Sequence, residues 1–148
     1  MTGWRLGFII TPIEWMSSAA RLHQNLMISA NDFVQQAGIA VLQNSVSYCE
    51  SMKNEFNKRR KFVLNRLSEL GMDPEYTPTG AFYVLYKYRD SSKSSFNLCK
   101  DVLEKTGVAI APGRDFGQGA EGYIRISYAN SMENIDRALT KMAESGLL

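Results

Sequence analysis

Hydrophobic positions in the middle of the chain recur at helical spacing: Met52, Phe56, Val63, Leu67 and Leu70 step by 4, 7, 4 and 3 residues, and Gly71 follows as a left-handed stop. Lys53, Asn54, Asn57, Lys58, Lys61 and Asn65 fall on the opposite face. The pattern predicts an amphipathic helix from about Ser47 to Leu70, long enough to act as a strut between subdomains. Upstream, Pro12 suits a first helical turn, and Ile13, Met16, Ala20 and Leu22 to Met27 continue a helical stripe to about residue 27. Asn31 or Asp32 can cap a second helix, with Phe33, Ala37, Ala40 and Val41 as its apolar stripe to roughly Leu42.

Elsewhere the period shortens. The opening MTGWRLGFII, Met1 to Ile10, reads as a strand; so do the aromatic and β-branched AFYVLYKY, Ala81 to Tyr88, and YIRISYA, Tyr123 to Ala129. In the last of these, Ile124, Ile126 and Tyr128 share one face, which leaves Arg125 on the other. Between them the pattern predicts a helix over Ser94 to Thr106, buried through Phe96, Cys99, Val102 and Leu103 and ended by Gly107. A short strand, Val108 to Ala111, is halted by Pro112 and Gly113, and a glycine-rich loop follows over Asp115 to Gly122. Asn130 caps a final helix, with Glu133 in capping-box position and Ile135, Leu139 and Met142 facing inward. The order is one strand, three helices, then strand, helix, strand, strand, helix: an α+β unit preceded by a piece of something larger.

Composition narrows the class. The 148 residues are 45% hydrophobic and 22% charged, enough for a real core. With 17 Lys and Arg against 15 Asp and Glu, the net charge of +2 is too balanced to call for nucleic acid or an acidic membrane surface as a partner. The chain has no apolar run of roughly eighteen residues and no signal-peptide pattern, so the expected compartment is the cytoplasm. Cys49 and Cys99 form no CxxC pair and His23 is alone, so a metal site finds no support. The basic run Lys58 to Lys61 reads as a solvated helix face.

Among chemistry-bearing patterns, GxxxxGK, HExxH and GxSxG are absent, and GRDFGQG, Gly113 to Gly119, lacks the strand and helix that a phosphate-binding turn requires. It reads as a mobile or surface loop. Two arginines remain, Arg5 and Arg125, each in a strand-like segment beside glycine or small residues. A guanidinium pointing inward from a strand is costly unless a carboxylate or phosphate meets it. Residue chemistry alone leaves two partners open for each: an internal Asp or Glu, or a bound anion.

Three ordered segments carry a resemblance. TGWRLGF (Thr2 to Phe8), GAFYVL (Gly80 to Leu85) and VAIAPGRDFGQGAEGYIRISYANS (Val108 to Ser131) together resemble the carboxyl-terminal portion of a class I/II aminotransferase, the fold type I pyridoxal-phosphate enzymes, in wording nearest the bacterial and archaeal aspartate aminotransferases. The resemblance implies an α/β fold: a large-domain remnant (residues 1–44, a strand plus helices), a long interdomain helix (45–71) and a complete small α+β domain (72–148) with helices on a short, mostly antiparallel sheet. It further implies pyridoxal 5'-phosphate as cofactor, amino acids and 2-oxo acids as substrates, and a homodimer.

Carried over residue by residue, the resemblance makes Arg5 the holder of the cofactor phosphate, with Gly3 and Gly7 permitting close approach. Arg125 becomes the residue that grips the substrate α-carboxylate, and Phe82 an aromatic lining the substrate side. The family's cofactor-bearing lysine belongs to a segment expected before Thr2, and Lys53, Lys87 and Lys141 do not match its context, so no catalytic residue is assigned and the chain alone is expected to be inactive. Arg114 stands where the family usually has a small residue and reads as surface or interface. A lyase or acyltransferase of the same fold, a non-catalytic binding module derived from it, or an unrelated α+β interaction domain are the alternatives.

Overall fold

The alternation of Ile124, Ile126 and Tyr128 with outward-facing residues makes Tyr123–Ser127 the central strand of a three-stranded antiparallel sheet. The computed structural model describes residues 1–90 and 92–148. Its helices are α1 (Ile13–Met27), α2 (Asp32–Asn44), α3 (Val46–Glu69), α4 (Ser95–Thr106) and α5 (Met132–Glu144). Its strands are β1 (Tyr83–Lys87), β2 (Ala111–Pro112) and β3 (Tyr123–Ser127), in spatial order β1-β3-β2. Residue contacts divide the chain into two units, Met1–Ser51 and Met52–Leu148.

The second unit holds the core. β1 and β3 pair with Val84 opposite Ile126 and Tyr86 opposite Ile124, so four apolar side chains share one face of the sheet. All four are buried, in one cluster with Leu98, Cys99 and Val102 of α4, Ile135, Leu139 and Met142 of α5, and Val63 and Leu67 of α3. Each fully buried aliphatic side chain of this kind contributes about 1.5–3 kcal/mol. Arg66 ties α3 to α5 at the rim, with Nε donating to Asp136 Oδ1 at 2.6 Å and Nη2 to Thr140 Oγ1 at 3.0 Å. Gly107 closes α4 with a φ of 72°, and its N–H donates to Leu103 O.

The first unit contains α1, α2 and the start of α3. No residue of α1 is buried, and Gly38 is the buried residue of α2. Asn31 caps α2, its side chain accepting from Phe33 N at 3.0 Å.

Four local expectations change. Met1 to Ile10 is not a strand: a 3-10 turn spans Thr2–Trp4, and the rest pairs with no other strand among the described residues. A strand needs a ladder partner, and apolar residues alone do not supply one. The strand expected at Val108 to Ala111 is reduced to Ala111–Pro112, where Pro112 sits on an edge strand that tolerates its missing donor. Ser131, not Asn130, caps α5, its hydroxyl accepting from Asn134 N at 3.2 Å. In α4 the buried stripe is Ser95, Leu98, Cys99 and Val102, which leaves Phe96 and Leu103 largely in solvent.

Candidate functional site

Residues facing each other across an antiparallel ladder share a face, so the register that buries Ile124 and Ile126 places Arg125 with Leu85 and Ala111 on the reverse of the sheet. There Arg125 is half-buried, and its Nε is wholly buried with no hydrogen-bond partner. Among the described residues, no carboxylate lies within ion-pair distance of it. The internal acid that residue chemistry left open for Arg125 is therefore not what meets it. Leaving a buried N–H unpaired costs about 1–3 kcal/mol. Two rings offset part of this: the guanidinium carbon is 4.4 Å from the centroid of Phe116 and 5.1 Å from that of Tyr83.

Arg60 shows how a committed arginine differs. Its Nε and Nη2 both donate to Asn57 Oδ1, at 3.2 and 3.0 Å, and its Nη1 donates to Pro78 O at 3.2 Å. Each nitrogen of that guanidinium donates to the fold, whereas the buried Nε of Arg125 donates to nothing among the described residues.

Phe116 reaches Arg125 because the chain after β2 turns sharply. Two 3-10 turns, Gly113–Phe116 and Gln118–Ala120, fold the segment read as a mobile or surface loop. Gly113 makes the turn possible, since a Cβ there would stand 2.0 Å from Ala120 O and 2.5 Å from Tyr123 O. Glu121 then clamps the loop to the start of α4: Ser95 N donates to its Oε1 at 2.6 Å, Ser95 Oγ to its Oε2 at 2.9 Å, and Tyr88 Oη to Oε1 at 3.2 Å. The Ser95 backbone donor, followed by the Ser95 and Tyr88 hydroxyls, holds the Glu121 carboxyl below its ordinary range. Arg114 is exposed, on the outside of the turn.

Phe82 lies just before β1. Its carbonyl accepts from Tyr128 N at 2.8 Å, and the preceding residue, Ala81, takes a left-handed φ of 62°. The residue is 45% exposed, and its ring meets Tyr83 edge-on at 5.7 Å and Phe56 at 6.1 Å. Arg125 and Phe82 are thus joined through Tyr83, which touches both.

Arg5 belongs to the other unit. It is exposed, at the close of the first 3-10 turn, with a left-handed φ of 57°. The strand setting read for it is therefore replaced by a turn. A Cβ on Gly3 or Gly7 would meet nothing within 4 Å, so neither glycine is required by crowding in this structure. For an anionic cofactor phosphate, Arg5 offers the matching donor chemistry on an accessible turn. No group of His, Cys, Asp and Glu among the described residues could hold a metal ion, and no helix among them is long and apolar enough to cross a membrane.

Sequence reading missed Phe116, Tyr83 and Glu121. A signal for the first existed in PGRDFG, a tight turn placing an aromatic residue nine positions before Arg125.

Comparison with known proteins places this geometry in a family. The family model "Aminotransferase class I and II" matches residues 1–142. Aspartate aminotransferase of Pyrococcus horikoshii is 39% identical over 147 residues, which cover 98% of this chain and 38% of that protein. Among solved structures, aromatic aminotransferase from Pyrococcus horikoshii OT3 aligns over 100% of this chain and 41% of its own, with a TM-score of 0.83 and 35% identity. Aspartate aminotransferase from Thermus thermophilus with maleate aligns over 100% and 38%, with a TM-score of 0.84 and 34% identity. The chain thus spans less than half the length of the relatives it matches, and over that span it belongs to the class I and II aminotransferases, an α/β fold of pyridoxal-phosphate enzymes.

Proposed function

We propose that this chain is the substrate-carboxylate part of a pyridoxal-phosphate aminotransferase that moves an amino group between an amino acid and a 2-oxo acid in the cytoplasm. The observation that carries the proposal is Arg125: a guanidinium with a buried, unpartnered Nε, ring contacts from Tyr83 and Phe116 and, among the described residues, no acid within ion-pair distance. A fork of this kind suits a carboxylate, which can accept two parallel N–H bonds. The maleate carried by the Thermus thermophilus structure is a dicarboxylate and supports the same chemistry.

In this reading Arg125 fixes the α-carboxylate and so sets the orientation of the substrate's Cα. Phe82, half-exposed beside Tyr83, supplies an apolar wall for the substrate. Arg5 would hold the cofactor phosphate. The cofactor, when bound, supplies the electron sink for charge developing at Cα. Residues 1–44 belong to the large domain, 45–71 to an interdomain helix and 72–148 to the small domain, and the enzyme works as a homodimer.

In amino-group transfer assays of the enzyme, Arg125→Leu should raise the KM for every amino-acid substrate by about tenfold or more, with cofactor absorbance unchanged. An unchanged KM removes Arg125 from this role.

A further inference from the structure

We infer that Phe116 and Tyr83 are positioning residues that pre-set the Arg125 guanidinium for a carboxylate arriving at its nitrogen edge, an inference that rests on the carboxylate role proposed for Arg125. The two rings reach it from different elements: Tyr83 stands in β1, on one side of β3, and Phe116 follows β2, on the other.

Core packing does not account for Phe116. The residue is 49% exposed and lies outside the buried cluster, yet its ring centroid is 4.4 Å from the Arg125 guanidinium carbon. The path that brings it there is built for that placement. At Gly113 any side chain would press on the Ala120 and Tyr123 carbonyls and force the turn to shift, and Glu121 anchors the far end of the loop to Ser95. An arginine normally has several rotatable bonds to freeze when it grips a ligand; ring contacts that hold it beforehand reduce what binding must order. Ring faces attract a guanidinium without occupying its in-plane donors, so the contact orients the group while leaving its N–H bonds for the ligand. A carboxylate in the place of either ring would have spent those donors.

The test uses the full chain with maleate as probe, following the Arg125 Nε–Hε signal by NMR. The wild-type signal should carry a ring-current shift that Phe116→Leu diminishes, and maleate should move it saturably. Phe116→Leu should weaken maleate binding about fivefold to tenfold, while Phe116→Tyr keeps it within about twofold. Should Phe116→Leu disturb the fold, seen in the amide spectrum of the core, Tyr83→Leu asks the same question from the other ring. Equal maleate affinity in wild type and the folded leucine variant overturns the positioning role and leaves the Arg125 reading standing. Wild-type affinity retained by Arg125→Lys, or an Arg125 signal that saturating maleate does not move, overturns that reading and the inference with it.

Discussion

At Gly113 a missing side chain decides the position of a present one. With the nearest carbonyl oxygen 2.0 Å from where a Cβ would sit, the backbone must shift if any side chain is added. Gly113→Ala is expected to destabilise the protein by at least about 2 kcal/mol, measured by urea unfolding, and to displace Phe116 from Arg125. Wild-type stability would mean the turn relaxes freely. Cys99 makes a different point about burial. Desolvation, with smaller contributions from Asp115 and Glu121, pushes its thiol up to about 11. The folded chain therefore holds the thiol proton more tightly than the unfolded chain, so this contribution to stability is whole below pH 9 and is lost as pH rises toward 11. At pH 8, iodoacetamide should modify exposed Cys49 and spare Cys99 until urea opens the core. Equal labelling of both in the native protein would contradict the burial.

Elements form where local pattern and tertiary environment agree, and Glu121 shows an element end secured from far along the chain. Its carboxylate receives the first backbone N–H of α4 from 26 residues away. Because those donors lower the Glu121 pKa, the clamp is present above the ordinary glutamate range and is lost as pH falls through the lowered value. Glu121→Gln should lower the melting temperature at neutral pH and flatten its fall in acid; an unchanged acid limb would assign that fall to other carboxylates. The helices and β1 and β3 were legible in the sequence because the periods of Val63 with Leu67, of Ile135 with Leu139 and of Ile124 with Ile126 are local signals. The misses came from choices that local pattern leaves open. Asn130 and Ser131 are adjacent cap candidates; Ser131 caps, while Asn130 Oδ1 accepts from Ser131 N and Asn134 Nδ2 instead. On α4, Phe96 and Leu103 flank the buried stripe, a rotation of the helix that its own hydrophobicity does not set. At the candidate site, Arg125 and its face could be read from alternation; PGRDFG marked a turn carrying Phe116, but its place beside Arg125 depends on how β2 pairs with β3.

The molecule as a whole is uneven in what it hides. Residues from Met52 onward build a core around one sheet face, while the Met1–Ser51 unit leaves Trp15, Leu26, Phe33 and many other large apolar side chains in water. Exposed apolar surface on this scale marks an interface. Its extent could not be foreseen from helical periodicity, which shows that a stripe exists and not what covers it. The chain spans 38% of its Pyrococcus horikoshii relative, so in a longer protein the remaining length is one cover, and a second copy is another consistent with the proposed homodimer. For the chain by itself, a second copy is the available cover. Sedimentation should therefore show reversible self-association that grows with concentration. Trp15→Glu, placed on α1 where no residue is buried, should shift that equilibrium toward monomer without altering the near-ultraviolet signal of the core tyrosines. A monodisperse monomer at high concentration would show that this surface does not pair with itself.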